Sequence, residues 1–164
     1  MNSVTHRDAY SLPRIDATLD SLAGAKFFTT LDLASGYWQV ELDEDARQKS
    51  AFTTYNGLFE FTRIPFGLCN VPATFQRIMH RVLSGLEGKS SFVYIDDILV
   101  ASKTFDEHLQ HLREVFNKLR EACLRLKPKK CGFLRPEVPF LGYVISAQGV
   151  HPDPEKTERV RLYP

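Results

Sequence analysis

Apolar residues along this chain fall into short β-prone runs broken by single polar residues, and into two longer segments with helical period. Phe27-Phe28-Thr29-Thr30-Leu31-Asp32-Leu33 reads as a strand that runs out at an aspartate. Phe92-Val93-Tyr94-Ile95 and Ile98-Leu99-Val100-Ala101 flank Asp96-Asp97, the pattern of a hairpin with its acids at or near the turn. Between these strands Phe75, Ile78, Met79, Val82, Leu83 and Leu86 mark one face of a helix. It begins near Val71-Pro72, with Asn70 as its cap and Gly85 and Gly88 at its end; Gln76, Arg77, His80 and Arg81 lie toward the other side. After the hairpin, Thr104 and Glu107 form a capping box. A long amphipathic helix follows, with Leu109, Leu112, Val115, Phe116, Leu119 and Cys123 on its apolar face.

The remaining pattern is weaker. Residues 1–9 show no period. Ile15, Leu19 and Leu22 share a helical face, with Pro13 suited to the first turn and Gly24 to the stop. Trp38, Val40 and Leu42 alternate with Gln39 and Glu41 and predict a half-buried strand; Asp43–Lys49 predicts a short helix or turn. Asn56-Gly57 between β-prone runs predicts a hairpin. Leu124–Lys127 and Lys130–Leu134 read as strand around Pro128, Val138–Ile145 as another strand, Gly149 as a turn, and 150–164 as a tail of little periodicity. With an insertion at about 37–70 set aside, the order is β-α-β-β-α-β, the ferredoxin-like α+β plan, which puts Asp32 and the acidic hairpin on adjacent strands.

Composition changes little in this picture. The chain has 164 residues, 43% hydrophobic and 25% charged, enough for one core and one domain. A net charge of +1 announces no nucleic-acid partner. Local charge does more: Arg120, Arg125, Lys127, Lys129, Lys130 and Arg135 stand against the single acid Glu121. That strip is either a solvated surface or a track for a phosphate backbone. Cys69, Cys123 and Cys131 have no paired spacing, which argues for reduced thiols rather than a disulfide framework or a zinc knuckle. No signal peptide or membrane-spanning run is visible, so an intracellular location is expected, with cytoplasm and nucleus both open.

The candidate chemistry lies in the acids. Adjacent Asp96 and Asp97 repel each other between apolar flanks, and are either a polar turn or a seat for a divalent cation. Asp32 as a third carboxylate favours the second reading, because three such groups can hold two metal ions roughly 3.5–4 Å apart for in-line displacement at phosphorus. His108 and His111 lack the spacing and the glutamate of a zinc-protease pair.

Three segments carry a family resemblance. Phe28-Thr-Thr-Leu-Asp-Leu-Ala-Ser-Gly-Tyr-Trp-Gln39, Arg63-Ile-Pro-Phe-Gly-Leu-Cys-Asn-Val-Pro-Ala-Thr-Phe-Gln76 and Tyr94-Ile-Asp-Asp-Ile-Leu-Val100 resemble successive motifs of a reverse transcriptase, in order and at family-like spacing. The likeness is greatest to the gypsy class of LTR retrotransposons and runs from Asn2 to the last residue. It implies a palm with partial fingers: a single reverse transcriptase domain fragment over 1–164, with 37–70 as the fingers-side insertion and no thumb. The implied activity is RNA-directed DNA polymerisation with two Mg²⁺ ions, or Mn²⁺ in their place, on an RNA or DNA template with primer and deoxynucleoside triphosphates.

Residue by residue, the resemblance makes Asp32 and Asp96 the principal metal ligands and Asp97 a supporting one. It places Leu33, Ala34, Ser35 and Gly36 at the triphosphate, and Tyr37 under the sugar, where it would exclude a ribose 2′-hydroxyl. Composition alone favours reading Tyr37 and Trp38 simply as core aromatics. Phe66 and Gly67 match the loop at the incoming nucleotide and template, Tyr94 a residue beside the primer terminus, and Phe140, Leu141, Gly142 and Tyr143 the primer grip. Lys130, with Lys129 as its rival, matches the basic residue that protonates pyrophosphate. Arg77 is a solvated helix residue or a template-phosphate contact. Three departures stand out: Tyr10-Ser11-Leu12-Pro13 replaces the usual Tyr-Pro-Leu-Pro, the upstream basic fingers segment is not included, and neither are thumb and RNase H regions. An isolated chain of this extent is therefore expected to be weak or inactive, part of a longer polyprotein. The alternative is a retroelement remnant that folds or binds nucleic acid without making DNA. A nucleotide cyclase on a similar plan is disfavoured by the 64–70 loop and Tyr37.

Overall fold

Ile98-Leu99-Val100-Ala101 can be apolar throughout because the sheet holding it is covered on both faces. The computed structural model describes residues 2–161, except the side chains of residues 155, 159 and 160; the first residue of the opening and the last three of the tail lie outside the described residues. In chain order come α1 (Ile15–Asp20), β1 (Phe27–Asp32), α2 (Glu44–Lys49), β2 (Phe52–Thr54), β3 (Gly57–Phe59), α3 (Val71–Val82), β4 (Ser91–Tyr94), β5 (Asp97–Ser102) and α4 (Phe105–Glu121). They are followed by β6 (Gly132–Arg135), β7 (Glu137–Phe140), β8 (Tyr143–Ser146), β9 (Gly149–Pro152) and α5 (Pro154–Arg161).

The main sheet has the order β4-β5-β1-β6, every neighbouring pair antiparallel. Alternation in β5 sends Ile98 and Val100 to a core shared with Phe75, Met79, Leu112, Val115 and Leu119 of α3 and α4. Leu99 and Ala101 point to the opposite core, with Phe28, Val138, Phe140 and Ile145. The small sheet β7-β8-β9 therefore covers the face away from the helices. No helix among the described residues is long and apolar enough to cross a membrane.

Several expectations are corrected. Trp38–Leu42 is not a strand: Gly36–Gln39 forms a 3-10 turn and Trp38 is exposed, with only Glu41 bridging Arg63. The 52–59 hairpin turns through Tyr55-Asn56, since Thr54 pairs with Gly57. Of Leu124–Lys127 only Leu126 bridges, to Leu33; Pro128–Lys130 is a 3-10 turn, and β6 begins at Gly132. Asn70 stands at the start of α3 without capping it, because its side chain instead bonds His6 O and Asp8 N. Pro13 lies before, not within, the first turn of α1. The tail expected to lack pattern forms β9 and α5 within its described part.

His108, not Leu109 or Cys123, completes the buried face of α4. Its ring is 0% exposed, with Nε2 2.7 Å from Thr29 Oγ1 and Nδ1 3.0 Å from Ser102 Oγ. Ser102 Oγ also meets His111 Nδ1 at 2.8 Å, and Thr29 Oγ1 accepts from Leu134 N–H at 3.1 Å. One neutral imidazole thus ties α4 to β1 and β5, and Thr29 carries the connection to β6. Burial, then the neighbouring His111, holds His108 below the ordinary histidine range. As pH falls through about 6.5 the unfolded chain takes up a proton that the folded ring resists, so stability falls. Urea unfolding is expected to show this loss, at up to about 1.4 kcal/mol per pH unit for one proton. His108→Gln is expected to reduce the dependence, leaving the part that His80, also held low by burial, contributes; an unchanged slope would show that the His108 ring is not a source.

Candidate active site

The acids meet because β1 and β5 are in register with Asp32 directly opposite Asp97. Tyr94 pairs with Asp97 across β4 and β5, leaving Ile95 and Asp96 as a two-residue loop. Asp96 Oδ1 is buried without a hydrogen-bond partner among the described residues. Burial raises the Asp96 carboxyl above the ordinary aspartate range, and the charges of Asp97 and Asp32 push it further; Lys130 opposes them. Asp97 is raised too, by burial and then by Asp32, again opposed by Lys130. Lys130 Nζ donates to Asp32 Oδ2 at 3.2 Å, so this ammonium is the local counter-charge. As the side chains stand, no three His, Cys, Asp or Glu residues among the described residues form a group able to hold an ion.

The segment after β1 wraps toward the hairpin. Ala34 N–H donates to Arg125 O at 2.9 Å, while Gln39 Nε2 reaches Ala34 O and Arg125 O, both at 2.9 Å. Lys127 N–H donates to Asp32 O at 2.8 Å, and Leu33 bridges Leu126. The basic strip is thereby fastened to the strand that carries Asp32. Ser35 takes a left-handed φ of 54°, and buried Gly36 then passes so close to Asp96 that a methyl group there would meet its carboxylate. Tyr37 packs edge-on against Phe75 with ring centres 5.1 Å apart, and lies 5.3 Å from Phe66. Burial and then Asp96 raise its phenol pKa. Tyr37 is therefore half-buried, packed on Phe75 as a core reading predicts, yet within the field of the acids. Phe66 is exposed, and Gly67 O accepts from Asn2 Nδ2 at 2.7 Å.

On the other side of the hairpin a cavity of about 310 Å³ is lined by Asp32, Asp97 and Lys130 together with Phe140, Leu141 and Gly142. Leu141 (φ 51°) and Gly142 (φ 85°) are both left-handed, as a two-residue β7–β8 turn closed by Phe140 and Tyr143 requires. Tyr143 does not line that cavity, and Tyr94 packs toward the β7–β9 core. A cavity of about 820 Å³ lies apart from the acids, between α3 and the 40–50 segment.

The sequence reading missed Gln76. It was expected on the solvated side of α3 but is 0% exposed, accepting from Ile95 N–H at 2.7 Å and donating to Val93 O at 3.1 Å. Arg77, by contrast, is exposed and pairs with Asp8.

The sequence profile described as reverse transcriptase (RNA-dependent DNA polymerase) matches residues 1–145. The chain belongs to the reverse transcriptase family. Its relatives include the Pol polyproteins of the Drosophila melanogaster transposons 297 and opus, 43% and 46% identical, each over 100% of this chain and 16% of the relative. The Pol polyprotein of the gypsy transposon from the same organism is 40% identical over the same shares. The chain thus spans about one sixth of these polyproteins. Among solved structures, a foamy viral protease-reverse transcriptase in complex with double-stranded DNA is similar at a TM-score of 0.89 and 31% identity, over 99% of this chain and 28% of that one. Another, in complex with an RNA/DNA hybrid, matches at 0.86 and 31%, over 98% and 22%. The mixed α/β architecture of this reverse transcriptase domain agrees with those structures.

Proposed function

We propose that this domain is the palm of an RNA-directed DNA polymerase, its sheet and two helices following the ferredoxin-like plan, with 37–70 as a fingers-side insertion. The observation that carries the reading is the pairing of Asp32 with Asp97 beside the buried, unpartnered Asp96 Oδ1. A buried carboxylate oxygen with no donor, among like charges, fits a divalent cation. Asp32, Asp96 and Asp97 would hold two Mg²⁺, or Mn²⁺, which when bound activate the primer 3′-hydroxyl and neutralise the triphosphate and leaving pyrophosphate.

The chain's own groups do the rest. Of the Leu33–Gly36 segment, the Leu33, Ser35 and Gly36 amides face the triphosphate of a deoxynucleoside triphosphate, while the Ala34 N–H is taken by Arg125 O and does not serve. The Tyr37 ring occupies the space a 2′-hydroxyl needs, and Phe66 and Gly67 border the base and template. Tyr94 and the turn at Phe140–Tyr143 hold the primer end. Lys130 leaves Asp32 to give its proton to pyrophosphate. Partners are then an RNA or DNA template with primer and the other regions of a Pol polyprotein.

A second reading, binding without synthesis, is favoured by Asp32 already being neutralised by Lys130. Primer extension on poly(rA)/oligo(dT) with Mg²⁺ and dTTP separates the two. The polymerase reading expects incorporation that disappears in Asp96→Asn, Asp97→Asn. A folded wild-type chain that binds the primed template but incorporates nothing would favour the second.

A further inference from the structure

Ile95 is a β-branched residue in the left-handed region, φ 55°, which costs on the order of 1–3 kcal/mol. A hairpin loop with positive φ at its first position ordinarily places glycine there. Here the turn is held from another element. Ile95 N–H and Val93 O bind opposite ends of the Gln76 amide, which fixes its orientation. The second N–H of that amide faces His80 Nε2 at 2.6 Å, a hydrogen bond in the tautomer that leaves this nitrogen unprotonated. In that tautomer His80 Nδ1 carries the ring proton and donates to Tyr10 OH at 2.6 Å. Tyr10 is anchored in turn: Arg77 lies 4.8 Å over its ring and pairs with Asp8, whose carboxylate accepts from Tyr10 N–H at 3.0 Å.

We propose that Tyr10, His80 and Gln76 are positioning residues acting as one relay, which runs from the N-terminal strap (residues 2–14, before α1) through α3, holds the strained turn at Ile95 and so aims the carboxylate of Asp96. The relay gains its importance from the reading of Asp96 as a metal ligand, but its hydrogen bonds stand without that reading. It requires a neutral His80 with its proton on Nδ1, leaving Nε2 free to accept. The groups facing this ring are Gln76 on its own helix, Tyr10 of the strap with the Asp8–Arg77 pair behind it, and Glu87 after α3, whose Oε1 is 2.8 Å from the same Nε2. A protonated His80 would donate to Glu87 and stop accepting from Gln76, releasing the amide that holds the turn. Burial favours the neutral ring, holding His80 below its ordinary range, and raises Glu87 above its own.

The test is amide hydrogen exchange on the whole chain without metal. Gln76→Met keeps the volume and removes all three bonds of the Gln76 amide. Ile95 protection is expected to fall roughly fivefold to tenfold, the worth of one hydrogen bond, while Ile98 and Leu99 keep theirs. Unchanged Ile95 protection in the folded variant, or equal loss at all three positions, would overturn the relay. In the wild type, Ile95 protection corrected for intrinsic exchange is expected to fall on acidification through the histidine range; a flat profile would remove His80 from it. Gln76→Met is expected to lower the urea midpoint less in an Ile95→Gly background than in the wild type, because glycine accepts the left-handed turn unaided and the packing of Ile95 on the core is absent from both members of that pair. An equal cost in both backgrounds, or failure of the variants to fold, would make Gln76 a packing residue and overturn the proposal. Mn²⁺ titration of the wild type stands apart: absent binding would overturn the metal reading while leaving the exchange results to decide the relay.

Discussion

Gly36→Ala is expected to be the most damaging single-methyl change near the site. Gly36 has no positive φ to justify glycine; the reason is space. A Cβ there would overlap Asp96 Oδ1 and lie 2.8 Å from Phe75 Cζ. Phe75 is 0% exposed and braced by Tyr37, so it cannot give way cheaply, and Asp96 is the softer neighbour. Overpacking of this kind costs about 1–3 kcal/mol. Displacing Asp96 would also weaken Mn²⁺ binding by about tenfold or more, if even one ligand's worth of about 1.4 kcal/mol is lost. Urea unfolding and Mn²⁺ titration measure the two effects. A variant with wild-type stability and affinity would show that the loop at 33–36 shifts freely.

Asp96→Asn is expected to act in opposite directions with and without metal. The Asp96 carboxyl lies above its ordinary range through burial, then Asp97, then Asp32. Its folded pKa therefore exceeds the unfolded one, and ionisation near neutral pH works against the fold. The wild type regains this stability as pH falls through the raised pKa; the asparagine variant has none to regain. At pH 7 without metal the variant should be the more stable, and the gap should close toward pH 4. Taking the difference between the two proteins cancels the histidine contribution, which runs the other way. Added Mg²⁺ should stabilise the wild type and leave the variant almost unmoved, because a ligand bound only by the fold stabilises by mass action. Equal responses of both proteins to Mg²⁺ would exclude Asp96 as a ligand.

The acidic hairpin was legible because its signal is local: two β-prone runs with acids between them make the same turn in any surroundings. The helices followed from their apolar period, although the polar residues on them were misjudged. Gln76 directly follows Phe75, and His108 precedes Leu112, Val115 and Leu119 at spacings of four, seven and eleven. Those spacings put His108 on the buried stripe, although a histidine adds nothing to an apolar period. Gln76 gave a weaker signal, since its partners are backbone groups of a strand distant in sequence. Trp38–Leu42 misled because alternation over so few residues also fits a tight turn. There the packing of Tyr37 on Phe75 and the Gln39 bonds to Ala34 and Arg125 decided the outcome, and neither is visible along the chain. The approach of Gly36 to Asp96 is likewise a fact of three dimensions.

The order β4-β5-β1-β6 has a consequence for synthesis. β1 is made before both of its neighbours: Thr29 finds its partner only at Val100, and Phe28 its other partner only at Arg135. While the intervening chain is being made, Phe27-Phe28-Thr29-Thr30-Leu31 has two bare edges and no cover, the condition in which β-prone apolar runs seek other chains. The central strand cannot be sealed until β6 has emerged. A nascent chain stalled before Gly132 therefore presents a sticky strand, and long-range closure of this kind makes folding slow.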